Sequence, residues 1–152
     1  EYAAQWLLEH VFNVIEIPFV VAGKDPSPAL EQAAHVRMHT CLVSNPSTQE
    51  MAELIKKAQV ILMPVLIEST GHPNVLESLL LGRHILVNNK AMQENPFAQW
   101  LEPAETPESF QQKTAKLFHK PFTAADKENR ISGIKSMGTD QGSARALISL
   151  LN

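Results

Sequence analysis

The chain has one cysteine, Cys41, so no internal disulfide can form, and this suits a reducing compartment. Flanked by Thr40, Leu42 and Val43, that thiol is expected in the core. No apolar run approaches the roughly 20 residues needed to span a membrane, and no stretch reads as a signal peptide. Aromatic residues make up only 6% and form no stripe. With a net charge of −3 and no cluster of lysine and arginine, a nucleic-acid-binding surface is not expected. The six histidines, at 10, 35, 39, 72, 84 and 119, show neither HExxH spacing nor nearby carboxylate clusters, so no metal site is expected. The sequence also lacks GxGxxG, GxxxxGK[ST] and GxSxG, which removes the dinucleotide fingerprint, the P-loop and the nucleophile elbow.

What remains is an ordinary globular composition, 44% hydrophobic and 19% charged over 152 residues, enough for one domain with a real core. Helical spacing of Trp6, Leu7, His10 and Val11 predicts a first helix over residues 2–13. A β-rich run at 17–22, ended by Gly23, reads as a buried strand. A short helix at 28–34 and a strand at 40–43 follow. Ser47 and Glu50 form a capping box ahead of a helix whose inner face is Met51, Leu54, Ile55 and Ala58. Residues 89–96 read as a polar loop, and 97–105 as either a helical turn or a short strand. Helices are predicted from Thr106 to about residue 119, from 123 to about 137, and from about 140 to 151. Trp6 and Trp100 are assigned to packing. The alternation of strands and helices, with strands apolar on both faces, predicts an α/β fold: a Rossmann-like parallel sheet with helices on both faces.

The densest information lies at residues 60–88, VILMPVLIESTGHPNVLESLLLGRHILVN. An apolar run at 60–66 leads into the polar loop Glu68-Ser69-Thr70-Gly71, and Pro73 stands where a helix would begin. Val75, Leu76, Leu79 and Leu80 form its apolar face, Gly82 closes it, and a second apolar run occupies 84–87. A glycine-bearing loop feeding a helix N-terminus is a natural anion site, because its N–H groups are unpaired and the helix dipole is positive there. Glu77, one turn into that helix, could accept hydrogen bonds from ribose hydroxyls. Ligands of parallel sheets bind beyond the carboxyl ends of the strands, which gathers Gly23-Lys24, Val43-Ser44-Asn45 and residues 68–72 on one rim.

These residues resemble the donor-binding motif of retaining GT-B glycosyltransferases of the group 1 type. Asn74-Val75-Leu76-Glu77-Ser78-Leu79 followed by Gly82 is similar to the family's NVLLEAL…G stretch, and Gly23 in FVVAGKDP to its AGKGP loop. The helix and strand at 47–60 resemble its EELAELYRKADV segment. The likeness continues through ETPESF and HKPFT to about residue 135. It implies one nucleotide-sugar-binding lobe over residues 1–152, with 121–152 as a C-terminal helical segment. The first residues already read as mid-helix, so the lobe is expected to lack its first strand and to be a piece of a longer two-lobe protein.

By resemblance, Glu77 binds the ribose and Glu68 is the sugar-proximal, catalytic carboxylate. Ser69, Thr70, Gly71, His72, Gly23, Lys24 and Val43 complete the nucleotide-sugar site. The family spaces its acidic pair eight positions apart, whereas Glu68 and Glu77 are nine apart and Ser69 occupies the expected position. Either a bulge restores Glu68 or the carboxylate is lost. Plainer roles are open throughout: Gly71 as a turn residue, His72 as an N-cap or surface histidine, Lys24 as a solvated lysine, and Val43 as strand core.

The resemblance implies a hexosyltransferase acting with retention and without an obligatory metal or cofactor. Its donor would be a UDP- or GDP-sugar type of nucleotide sugar, and its acceptor a glycan or glycolipid held by an N-terminal lobe outside this chain. Bacterial polysaccharide assembly in the cytoplasm, or at the periphery of the inner membrane, is the family-level expectation. The fragment alone is expected to be inactive. A catalytically degenerate GT-B-like binding domain is the alternative. A flavodoxin-like regulatory domain ranks last, since Asp25 stands without acidic neighbours.

Overall fold

The computed structural model describes residues 1–66, 75–93 and 95–137. Helix α1 (Tyr2–His10) leads to strand β1 (Phe19–Gly23), helix α2 (Pro28–His35), strand β2 (Thr40–Ser44) and helix α3 (Thr48–Lys57). Strand β3 (Val60–Leu62), helix α4 (Leu76–Leu81), strand β4 (His84–Val87) and helix α5 (Asn89–Met92) follow. A 3₁₀ turn (Ala98–Trp100), strand β5 (Glu102–Pro103) and helices α6 (Pro107–His119) and α7 (Ala124–Ser136) complete the described chain.

Among the described residues every strand pairing is parallel, as the α/β alternation predicts, but the strands form two sheets rather than one. β1 pairs with β2, and β3, β4 and β5 form a three-stranded sheet in that order. β4 is the central strand and is buried along its whole length. Its side chains alternate between faces, as a strand's must. Ile85 and Val87 join Leu76, Leu79, Leu80 and Ile134 on one side, while Leu86 meets Leu7, Val11, Phe110 and Leu117 on the other. A third cluster, Leu8, Val21, Leu30 and Ala34, seats α1 and α2 on the β1–β2 sheet. Trp6 packs edge-on against Phe110, and Trp100 lies against the α4–α7 core, so both tryptophans serve packing.

Several boundaries differ from the sequence reading, each for a local reason. β1 begins at Phe19 rather than residue 17, because Pro18 has no N–H for the ladder. It is not a buried strand: only Val21 is buried. β3 stops at Leu62 rather than residue 66 as Pro64 approaches. The first helix ends at His10, where the N–H of Phe12 folds back onto the Leu7 carbonyl. Within the expected polar loop at 89–96, Asn88 caps the short helix α5 by accepting from the Ala91 N–H. Segment 97–105 holds both alternatives, the 3₁₀ turn and then β5. Cys41 is exposed, not buried: β2 is an edge strand, and only its alternate residue Leu42 faces the covered cluster. The helix expected at 140–151 lies outside the described residues.

The helix caps match the sequence closely. Ser47 with Glu50, Thr106 with Ser109, and Thr123 with Asp126 each form a reciprocal capping box. The backbone bonds hold the Glu50 and Asp126 carboxyls below their ordinary values of 4.5 and 3.8. No helix among the described residues is long and apolar enough to cross a membrane.

Candidate functional site

Three of the expected site residues, Gly23, Lys24 and Val43, fall at the carboxyl ends of β1 and β2. At the end of β1, the Gly23 carbonyl accepts from the Asn45 N–H at 2.8 Å, and the Asn45 side chain accepts from the Asp25 N–H at 2.9 Å. Asp25 (φ 44°) and Asn45 (φ 53°) both hold left-handed backbone, which Asp and Asn tolerate better than other side chains. Two strand ends are thereby laced into one rigid lip carrying Gly23 and Lys24. Lys24 is exposed and makes no hydrogen bond or ion pair with the described residues. Val43 is half-buried and lines a cavity of ≈ 380 Å³ with Ser47, Glu50, Leu54 and Lys57.

The next lip is organised by Asn88, which is 7% exposed at the end of β4. Its amide donates to the Val65 carbonyl at 2.8 Å, and its side-chain oxygen accepts from the Val65 N–H at 3.0 Å. That reciprocal pair grips the backbone two residues after Met63, whose own N–H bonds to the Leu86 carbonyl in β4. The Asn89 N–H donates to Glu105 at 2.9 Å and extends the lacing to the end of β5. Sequence reading did not single out Asn88. Its signal was an asparagine directly after a continuous apolar run, where a polar side chain can satisfy loop backbone.

Glu77 sits in the first turn of α4, half-buried between the buried Leu76 and Ser78. It makes no hydrogen bond or ion pair with the described residues. Val75, at the N-cap, offers no side-chain acceptor to the first turn. Glu68, Ser69, Thr70, Gly71 and His72 lie outside the described residues. The structure thus brings Gly23, Lys24 and Val43 to the rim and puts Glu77 at the opening of α4.

The far end of α4 is held by a residue the sequence did not advertise. Arg130 of α7, 5% exposed, donates to the Gly82 carbonyl at 2.5 Å and to the Arg83 carbonyl at 2.6 Å. Its guanidinium lies 4.7 Å from the centroid of the Phe122 ring. A cation on helix-terminal carbonyls satisfies unpaired acceptors and complements the negative end of the dipole. Burial pushes the Arg130 pKa down to about 10, opposed by the charge of Asp126. Among the described residues, no group of three or more His, Cys, Asp or Glu side chains is placed to hold a metal ion.

No curated protein and no solved structure matches the chain. A family model does, that of the glycosyl transferases group 1, over residues 1–120. The match spans both laced lips, the whole 60–88 motif and helix α6. With that match and its parallel α/β architecture, this chain belongs to the glycosyl transferases group 1 family and is a glycosyltransferase domain.

Proposed function

We propose that this chain is the nucleotide-sugar-binding lobe of a glycosyltransferase that moves a hexosyl group from a nucleoside diphosphate sugar to a glycan or glycolipid acceptor. The acceptor and the rest of the active site would come from a second lobe of a longer protein. Glu77 carries this reading. A half-buried carboxylate without a partner among the described residues, on the first turn of a helix, suits a diol such as ribose, which would supply donors to it. The leaving diphosphate would be met by N–H groups of Thr70 and Gly71, by His72 and by Lys24 from the β1 lip. Preorganised donors are the main device for stabilising such a developing anion. Gly23 and Val43 would frame the nucleotide largely through backbone, and Ser69 and Glu68 would lie nearest the transferred sugar. No cofactor is invoked. The setting we propose is bacterial polysaccharide or glycoconjugate assembly on the cytoplasmic side.

Ligand-observed saturation-transfer NMR with UDP, GDP and ADP, on this chain, on the full-length protein and on Glu77→Ala, tests the proposal. Transfer to one nucleotide, lost in the variant, is expected and names the base. Silence of the full-length protein with all three nucleotides would overturn it.

The nine-residue separation of Glu68 and Glu77 favours a second reading, a lobe that binds donor without turnover. In an active enzyme Glu68→Gln should lower kcat by about 10²-fold or more while leaving nucleotide binding intact. In a degenerate lobe there is no transfer for that substitution to lower.

A further inference from the structure

β2 is the outer strand of the β1–β2 sheet, and the ladder fixes which of its backbone groups lie open. Phe19 donates to the His39 carbonyl and the Gly23 carbonyl accepts from Asn45, so Cys41 and Val43, between them, bond to β1. Thr40, Leu42 and Ser44 therefore turn their N–H and C=O groups to the other side, where no strand follows among the described residues. The Thr40 N–H is already taken, by the Arg37 carbonyl at 3.1 Å. That leaves the Thr40 carbonyl and both polar groups of Leu42 and of Ser44. None of the usual guards of an edge protects them: Thr40–Ser44 holds no charge, no proline and no bulge.

Helix α2 runs along this edge. Pro28, Glu31, Gln32 and His35 recur at helical spacing as one exposed stripe, and with Cys41 and Leu42 they line a groove of ≈ 660 Å³. The Glu31 and His35 side chains make no hydrogen bond or ion pair among the described residues. On its inner face, Leu30 and Ala34 pack with Val21 of β1 and Leu42 of β2, so α2 stands over both strands it connects. A helix centred over two strands lies about 2.4 Å inside the outer one, half the strand spacing.

A second copy turned about a two-fold axis perpendicular to the sheet answers each of these features. Its β2 would run antiparallel to the first at about 4.8 Å, leaving the two α2 axes about 10 Å apart, which is helix-contact distance. Centred on Leu42, the pairing exchanges both Leu42 bonds and sends each Ser44 N–H to the other copy's Thr40 carbonyl. The Thr40 N–H, which this register leaves over, is the one already bonded within the chain. Charge is complementary too. Helix α2 carries Glu31 in its first turn and His35 in its last, so reversal sets each glutamate beside the other copy's histidine, with the helix dipoles antiparallel.

We propose that the β2 edge and the outer stripe of α2 form an isologous interface with a second copy of this chain, which joins the two β1–β2 sheets into one. The strand ends point opposite ways in the two copies, so both lips carrying Lys24 stay open.

Sedimentation velocity and amide hydrogen exchange over a concentration series of the 152-residue chain test this. A dimeric mass is expected as concentration rises. The Leu42 and Ser44 amides should slow about ten-fold or more as it forms, while those of Cys41 and Val43, already bonded to β1, change little. The single, exposed cysteine reports the register: the two copies of Cys41 would lie diagonally on one face, about 8 Å apart, within reach of a short bis-maleimide. Ser44→Pro removes one donated bond per copy and should raise the dissociation constant about ten-fold or more. Glu31→Lys should weaken the dimer, and adding His35→Glu should restore it, which no loss of folding could imitate. A monomeric mass at millimolar protein would overturn the proposal, as would a dimer that neither Ser44→Pro nor Glu31→Lys weakens. Protection of the Leu42 amide in the dilute monomer would overturn it as well, because the chain itself would then cover the edge.

Discussion

Asn88 is one side chain serving three backbone groups: both polar groups of Val65 and the N–H of Ala91 at the start of α5. Replacing it by alanine leaves buried donors and an acceptor unpaired, so Asn88→Ala should cost about 2–4 kcal/mol in urea unfolding. The loop that enters the 67–74 segment loses its grip in the same variant. Nucleotide binding in the full-length protein should therefore fall even under conditions where the variant is folded. Gly82 is equally constrained. A Cβ there would collide with Ile61 and lie 2.8 Å from the Ser78 carbonyl. Gly82→Ala should destabilise by about 1–3 kcal/mol, read as a lower denaturant midpoint at unchanged slope. Gly82 was legible as a helix stop from its place in the sequence. Its closeness to Ile61, 21 positions away, was not, because only the β3–β4 register creates it.

Among the elements, helix ends proved the most readable feature, since capping is a local matter of four residues and needs no tertiary partner. Ser47 with Glu50 was visible in the sequence and is formed, and Thr123 with Asp126 closes the same kind of box at the start of α7. The consequence is acid sensitivity. Both carboxyls titrate below their ordinary values, so they stabilise the fold fully above the unfolded-state values of 3.8 and 4.5. That contribution is lost as pH falls through the lower folded values. Thermal melts below pH 4 should show a decline that is smaller in Asp126→Asn, because that variant has one carboxylate fewer to protonate. Strand edges were harder to read. An apolar run marks a strand, but how far it pairs depends on its neighbours. Hence Cys41, set in an apolar run, faces outward, and the run at 60–66 yields only three ladder residues.

At the scale of the whole molecule, the family match ends at residue 120 but the packing does not. Ile134 of α7, fully buried, belongs to the same cluster as Leu76, Leu79, Ile85 and Val87. Ile134→Ala should cost about 2–4 kcal/mol. A chain ending at Lys120 should bind a hydrophobic dye and lose near-ultraviolet circular dichroism from Trp100, whose ring rests against Gly133 of α7. Indifference to either change would show that α7 is an ornament rather than part of the core. The α/β class and most element positions followed from periodicity. The split into two sheets did not, because no local pattern records which strands lack a neighbour. Glu77 was legible as a motif residue, whereas the Arg130 brace at the other end of its helix lies 47 positions from Arg83 and is created only by folding.

That brace has a mechanical consequence. Helix α4 is six residues, about 9 Å long at 1.5 Å per residue, too short to bend between its ends. Its first turn bears Glu77, and its last carbonyls are pinned to Arg130, three positions before the glycine under Trp100. The helix is thus a stiff connecting rod, and a load applied to the carboxylate is delivered to the indole at the other side of the core. Tryptophan emission should therefore shift when nucleotide engages the full-length protein, and Arg130→Met should uncouple that signal while leaving Glu77 in place.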